Sequence, residues 1–206
     1  FISLGLPDSL LGSAWPVMFR DLKVPVDYAG YISMIVAAGT VVSSLFSGKV
    51  IHRFGVAAVT TFSVLMTALA LMGFSQSGSY LYLCLLSVPL GLGAGAVDSA
   101  LNNYVALHYE ARHMNWLHSF WGVGAAIGPM IMAGYLTKGD SWSSGYEAVA
   151  WIQIGLVAIL VLSLPLWVKR PTIEADHSGE KSLSLFTLLL TLPGLKQALV
   201  VFFCYC

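Results

Sequence analysis

The sequence predicts an all-α integral membrane protein, with six transmembrane helices built as a 3+3 inverted repeat and the start of a seventh. Three observations predict it. Of 206 residues, 57% are hydrophobic and 10% charged, with a mean hydropathy of +0.79. A soluble domain carries about 25% charged and 45–50% apolar residues, so lipid must solvate most of this surface. Uncharged runs long enough for a crossing, about 20 residues each, recur between short polar turns. Finally, two stretches nearly match: Gly5-Leu6-Pro7-Asp8-Ser9-Leu10-Leu11 and Gly95-Ala96-Val97-Asp98-Ser99-Ala100-Leu101, both G-x-x-D-S-x-L.

The first helix is expected over Phe1 to Phe19, bent by Pro7 and Pro16 and carrying Asp8. Arg20 to Asp27 is a polar loop, and residues 28–48 form an uncharged second crossing. Lys49 to Gly55 read as a tight basic turn. The uncharged run that follows is too long for one helix. Ser75-Gln76-Ser77-Gly78-Ser79 divides it, with Tyr80 and Tyr82 suited to an interfacial belt. The fourth helix then runs from about Tyr80 to Leu107, and His108 to His113 make a polar turn. A fifth helix is expected over about Met114 to Thr137, and Thr137 to Ser144 is a loop. The sixth spans residues 148–168.

Three domains follow: residues 1–168 as an N-terminal six-helix bundle, 169–194 as a central linker, and 195–206 as a truncated seventh helix. The chain opens and closes inside apolar runs, so it reads as a piece of something longer, without a signal peptide. Lys49, Arg53, Arg112, Lys169, Arg170, Lys181 and Lys196 fall on one side, against Arg20, Lys23 and Lys138 on the other. That asymmetry places the first set and the amino terminus in the cytosol. Zero net charge argues against nucleic-acid binding. Cys84, Cys204 and Cys206 lack disulfide or zinc spacing. No cofactor, metal or catalytic residue is expected.

The two aspartates need a reason, because a carboxylate at bilayer depth costs about 2.5–3.5 kcal/mol on the insertion scale. In this topology they lie on antiparallel helices three crossings apart. Asp8 is about 12 residues, or roughly 18 Å, from Arg20, and Asp98 about 10 residues, or roughly 15 Å, from His108. Both therefore fall near the middle of a core about 30 Å thick, as in carriers built from inverted repeats. Gly5, Asp8, Gly12 and Trp15 share one helical side, as do Gly91, Gly95, Asp98 and Asn102, and Asn115, His118, Trp121 and Ala125. Gly91-x-x-x-Gly95 and Gly124-x-x-x-Gly128 are also small-residue motifs for helix packing. Desolvation disfavours the charged form of a carboxylate, so an acid at this depth can take up and release a proton. Asp, Asn, His and Trp together suit a polyol, or another small polar solute.

Gly48-Lys49-Val50-Ile51-His52-Arg53-Phe54-Gly55 resembles the G-x-L-A-D-R-x-G-R-K loop of the major facilitator superfamily. Gly48, Arg53 and Gly55 match, while His52 stands at the family's Asp and Val56-Ala57 at its basic pair. Glu110-Ala111-Arg112 is similar to the acidic-x-Arg turn between the family's fourth and fifth helices. The resemblance implies the N-terminal bundle of a 12-helix carrier and a cytosolic gate at Gly48, Arg53, Gly55 and Arg112. Gly91 to Val105 and Leu117 to Pro129 look like the fucose permease branch of sugar/proton symporters. That likeness implies proton coupling at Asp8 and Asp98 with sugar contacts around them. The shared faces offer Asp98, Asn102, His118, Trp121 and Trp15 as the expected substrate-binding residues, Trp121 standing where the branch is expected to carry a polar residue. Asp98 replaces a longer Glu. Gly124-x-x-x-Gly128-Pro129 partly matches a drug/proton antiporter signature, whose final glycine pair Met132-Ala133 break.

The expected function is secondary active transport of a small polar solute, a sugar, by proton symport with alternating access. The alternative is a proton-coupled efflux antiporter for drug-like or other small solutes, and sodium is the rival coupling ion. The expected partners are a sugar-like substrate, protons, the lipid bilayer and a second six-helix half of the same chain. The expected location is a bacterial inner membrane or plasma membrane. An intramembrane enzyme using His108, Glu110, His113 and His118 is disfavoured, because spacings of five scatter the histidines over different helical faces. A solute-sensing receptor would differ from a carrier only in flux.

Overall fold

The first apolar run breaks where the sequence carries Pro7 and Asp8. In the computed structural model, which describes residues 1–167 together with Gln197, that run forms two helices, α1 (Ile2–Asp8) and α2 (Leu10–Asp21). Proline has no N–H and its ring crowds the carbonyl four residues back, which loosens the helix here. Ser9 keeps helical dihedrals, φ −95° and ψ −9°, so the interruption is one residue wide. Pro16 lies inside α2 without breaking it.

Five long helices follow: α3 (Ala29–Phe54), α4 (Val56–Ser75), α5 (Tyr80–His108), α6 (Ala111–Thr137) and α7 (Trp142–Ser163). Each is long and apolar enough to cross a membrane. No strand occurs among the described residues. The linker expected at 169–194 and the seventh helix at 195–206 lie outside them. So do Lys169, Arg170, Lys181, Lys196, Cys204 and Cys206.

Several boundaries differ from expectation. The stretch Lys49–Phe54, read as a turn, is helical, because it holds no glycine or proline. Gly55 alone makes the stop, at φ +82°, where a side chain would be strained. The polar turn expected over His108 to His113 shrinks to Tyr109 and Glu110, both extended. The sixth crossing begins at Trp142 rather than 148, because Ser141 caps it: its Oγ accepts the Ser143 N–H at 3.3 Å. That helix ends at Ser163, followed by a 3₁₀ turn, Leu164–Leu166, around Pro165.

Glycines decide which helices touch. A methyl group on Gly5 would run into the Trp121 carbonyl, and one on Gly124 into that of Ile2, so α1 and α6 cross backbone to backbone. The same holds between α5 and α3, where Gly91 meets Val36 and Gly95 meets Thr40. Thr40 Oγ1 donates across this crossing to the Gly91 carbonyl at 3.3 Å. Close approach through small residues is how helices associate where lipid gives no hydrophobic drive. A shift of three crossings turns the α1–α6 contact into the α5–α3 contact, with Gly5 and Gly95 at the same motif position. The remaining long helices, α4 and α7, pack extensively on each other, for instance through Phe74 and Tyr146, whose ring centroids are 5.3 Å apart.

The larger core cluster gathers Leu10, Met18, Ile32, Phe74, Leu83, Met132 and Tyr146. It occupies the end where α2 finishes and α7 starts. Two indoles tie it: Trp15 Nε1 donates to the Val26 carbonyl at 2.6 Å, and Trp142 Nε1 to Asp21 Oδ2 at 2.9 Å. A smaller cluster of Leu4, Val64, Val97 and Val157 lies towards the amino terminus. Beside it the buried Gln153 of α7 donates to the Ser3 carbonyl.

Candidate functional site

Asp8 is the last residue of α1 and is exposed. The close α1–α6 crossing sets the Trp121 indole against it, and Nε1 donates to Asp8 Oδ2 at 3.0 Å. Asp98, inside α5, is half-buried. Asn102, one turn on, donates from Nδ2 to Asp98 Oδ1 at 3.1 Å. This leaves Asn102 Oδ1 buried with no hydrogen-bond partner among the described residues. An acceptor in that condition gains from a hydroxyl or amine donor.

His118 is exposed on α6, its ring edge-on to Phe1 with centroids 5.9 Å apart. The geometry thus joins Asp8 to Trp121 across α1 and α6, and Asp98 to Asn102 within α5, with His118 one helical turn before Trp121. Trp15 joins neither pair. It is buried in the larger core, its N–H taken by Val26. Its position borders the stripe of Leu4, Leu11 and Met18, so a long side chain there swings into the core.

The residues expected to form a gate lie at the α3–α4 turn and the start of α6. Gly48 and Arg53 are within α3, Gly55 makes the turn, and Arg112 begins α6. Arg112 Nε pairs with Glu110 Oε2 at 3.0 Å, with both side chains well exposed. His108 stacks on Tyr104 at 4.5 Å, and His113 packs between Tyr109 and Trp116, so these rings engage different partners from His118. Among the described residues no three His, Cys, Asp or Glu side chains assemble as metal ligands. Sequence reasoning missed Gln153, although it is the only amide in the apolar stretch 148–166 and so carried a signal.

The model of the Major Facilitator Superfamily matches residues 1–206. The chain belongs to the Major Facilitator Superfamily. Members of this superfamily are transporters, and this one is a multi-pass membrane protein. It is 24% identical over 84% of its length to the niacin transporter NiaP of Acinetobacter baylyi. It is 21% identical over 72% to the glucose/mannose transporter GlcP of Bacillus subtilis. It is also 23% identical over 91% to the multidrug efflux pump SdrM of Staphylococcus aureus. This chain covers 40%, 37% and 42% of those three relatives respectively.

Proposed function

We propose that this chain is the N-terminal part of a secondary transporter that carries a small polar solute, a sugar, together with protons by alternating access. The observation that carries this reading is the pairing of Asp98 with Asn102, whose Oδ1 is buried and unpartnered among the described residues. In the proposed mechanism Asp98 and Asn102 receive solute hydroxyls, His118 and Trp121 flank them, and protons pass through Asp8 and Asp98. A second half of the same chain closes the exposed face of α1, α5 and α6. Residues 1–168 are the bundle, residues 169–194 the cytosolic linker, and the basic ends of the helices face the cytosol. Gly48, Arg53, Gly55 and Arg112 form the cytosolic gate. The likeness to a glucose/mannose transporter supports the sugar.

The likeness to a multidrug efflux pump favours a second reading, proton antiport of drug-like solutes. Direction of proton flow separates the two. Adding a sugar such as glucose to vesicles carrying the full-length protein should drive protons inward. Solute uptake indifferent to a proton gradient, or proton release on adding an apolar cation, would sink the symport reading.

A further inference from the structure

A groove of about 570 Å³ opens between α3 and α4, and it includes neither Asp8 nor Asp98. Its shape follows from the glycines of α5. Gly91 and Gly95 admit α3 on one side, while Gly93, roughly 200° round the helix from Gly91, meets Ser63 and Thr67 of α4. The positions between those faces, Leu92 and Ala96, remain as the floor, and Phe46, Val50, Phe54 and Phe62 form the walls. Lining residues on α3 run from Val42 to Phe54, a rise of about 18 Å. One leaflet of a bilayer's hydrocarbon is about 15 Å, half of the core thickness.

Charge marks one end of this groove. Lys49 and Arg53 are exposed on the last turns of α3, and the Arg53 guanidinium lies 5.6 Å from the ring centre of Phe54, a groove wall. The sequence has no Asp or Glu between Asp27 and Asp98. The single ion pair among the described residues is Arg112–Glu110, so neither groove cation has an acidic partner there. An apolar slot one leaflet long, ending at cations with no acidic partner among the described residues, matches one ligand chemistry.

We propose that the groove holds an acyl chain of an anionic phospholipid whose phosphate is bound by Lys49 and Arg53. This rests on the proposed orientation, which puts the basic end at the cytosolic leaflet, where anionic lipids and basic pockets between helices meet. The lipid wedges α3 and α4 apart on either side of α5.

Native mass spectrometry of the purified full-length protein tests this, with phosphatidylglycerol and phosphatidylcholine of the same acyl chains as probes. The unmodified protein should retain phosphatidylglycerol at least tenfold better. Lys49→Gln with Arg53→Gln should remove the preference while leaving apolar retention, and Ala58→Trp, at an exposed groove position, should reduce retention of both lipids. A diazirine-bearing phosphatidylglycerol should cross-link to α3 and α4 in the unmodified protein, which needs no variant to fold. Equal retention of the two lipids, or cross-links elsewhere, would overturn the proposal, as would a groove closed to lipid by the second half. Lipid retention is read without transport, so its failure leaves the symport reading standing, and a failure of symport leaves the lipid site standing.

Discussion

Asp8 and Asp98 hold the same place in two copies of G-x-x-D-S-x-L, yet they are restrained differently. Asp8 accepts its hydrogen bond from Trp121 on another helix, whereas Asp98 accepts from Asn102 on its own. The first bond reports the position of α1 against α6 and breaks if they slide. The second moves rigidly with α5. The difference separates two jobs within the proposed mechanism: Asp8 senses helix movement, and Asp98 presents a fixed pair of polar groups to a solute.

The largest expected effect is at Asp98. Asp98→Asn should reduce solute-driven proton uptake in vesicles to background, because the exchangeable proton is lost. Coupling that survives would move the proton site to Asp8 alone. Next comes Trp121→Phe, which keeps the ring and deletes the N–H. A hydrogen bond to a charged acceptor contributes about 1.5–3 kcal/mol, so the maximal rate should fall roughly tenfold or more. Asn102→Ala should instead weaken apparent solute affinity by roughly tenfold while the maximal rate persists. If both variants alter the same parameter, the two jobs are not separate.

Smaller effects concern the scaffold. Gly5→Ala and Gly95→Ala each place a methyl group against a carbonyl on the crossing helix. Overpacking of this kind costs about 1–3 kcal/mol, and thermal melting in detergent should show similar losses for the two. Unequal losses would show that the two crossings are not equivalent. Trp15→Phe should cost about 0.5–1.5 kcal/mol by removing its bond to Val26, with transport kept.

Much of the candidate site was legible because the acids announce themselves. A carboxylate in an apolar run is visible in any window of sequence, and Asn102 follows Asp98 by one helical turn. The partners drawn from other helices were not legible. Trp15 and Trp121 are both indoles at helical spacing from small residues, yet one closes the core and the other reaches Asp8. Gln153 finds a carbonyl at Ser3, far away in the chain. The helix ends also moved, since charge in Lys49–Phe54 was read as a turn although only Gly55 interrupts the helix.

Composition and periodicity alone determined that the chain is a helical membrane protein, which of its described stretches form the long apolar helices, and that two aspartates stand out within it. Those properties depend on transfer of local segments into lipid, which is non-directional and sums over neighbouring residues. Tertiary structure alone decided that α1 meets α6 while α3 meets α5, which donor each aspartate receives, and that α3 and α4 stand apart over α5. Close approach and hydrogen bonding are directional and depend on surfaces brought together from distant parts of the chain.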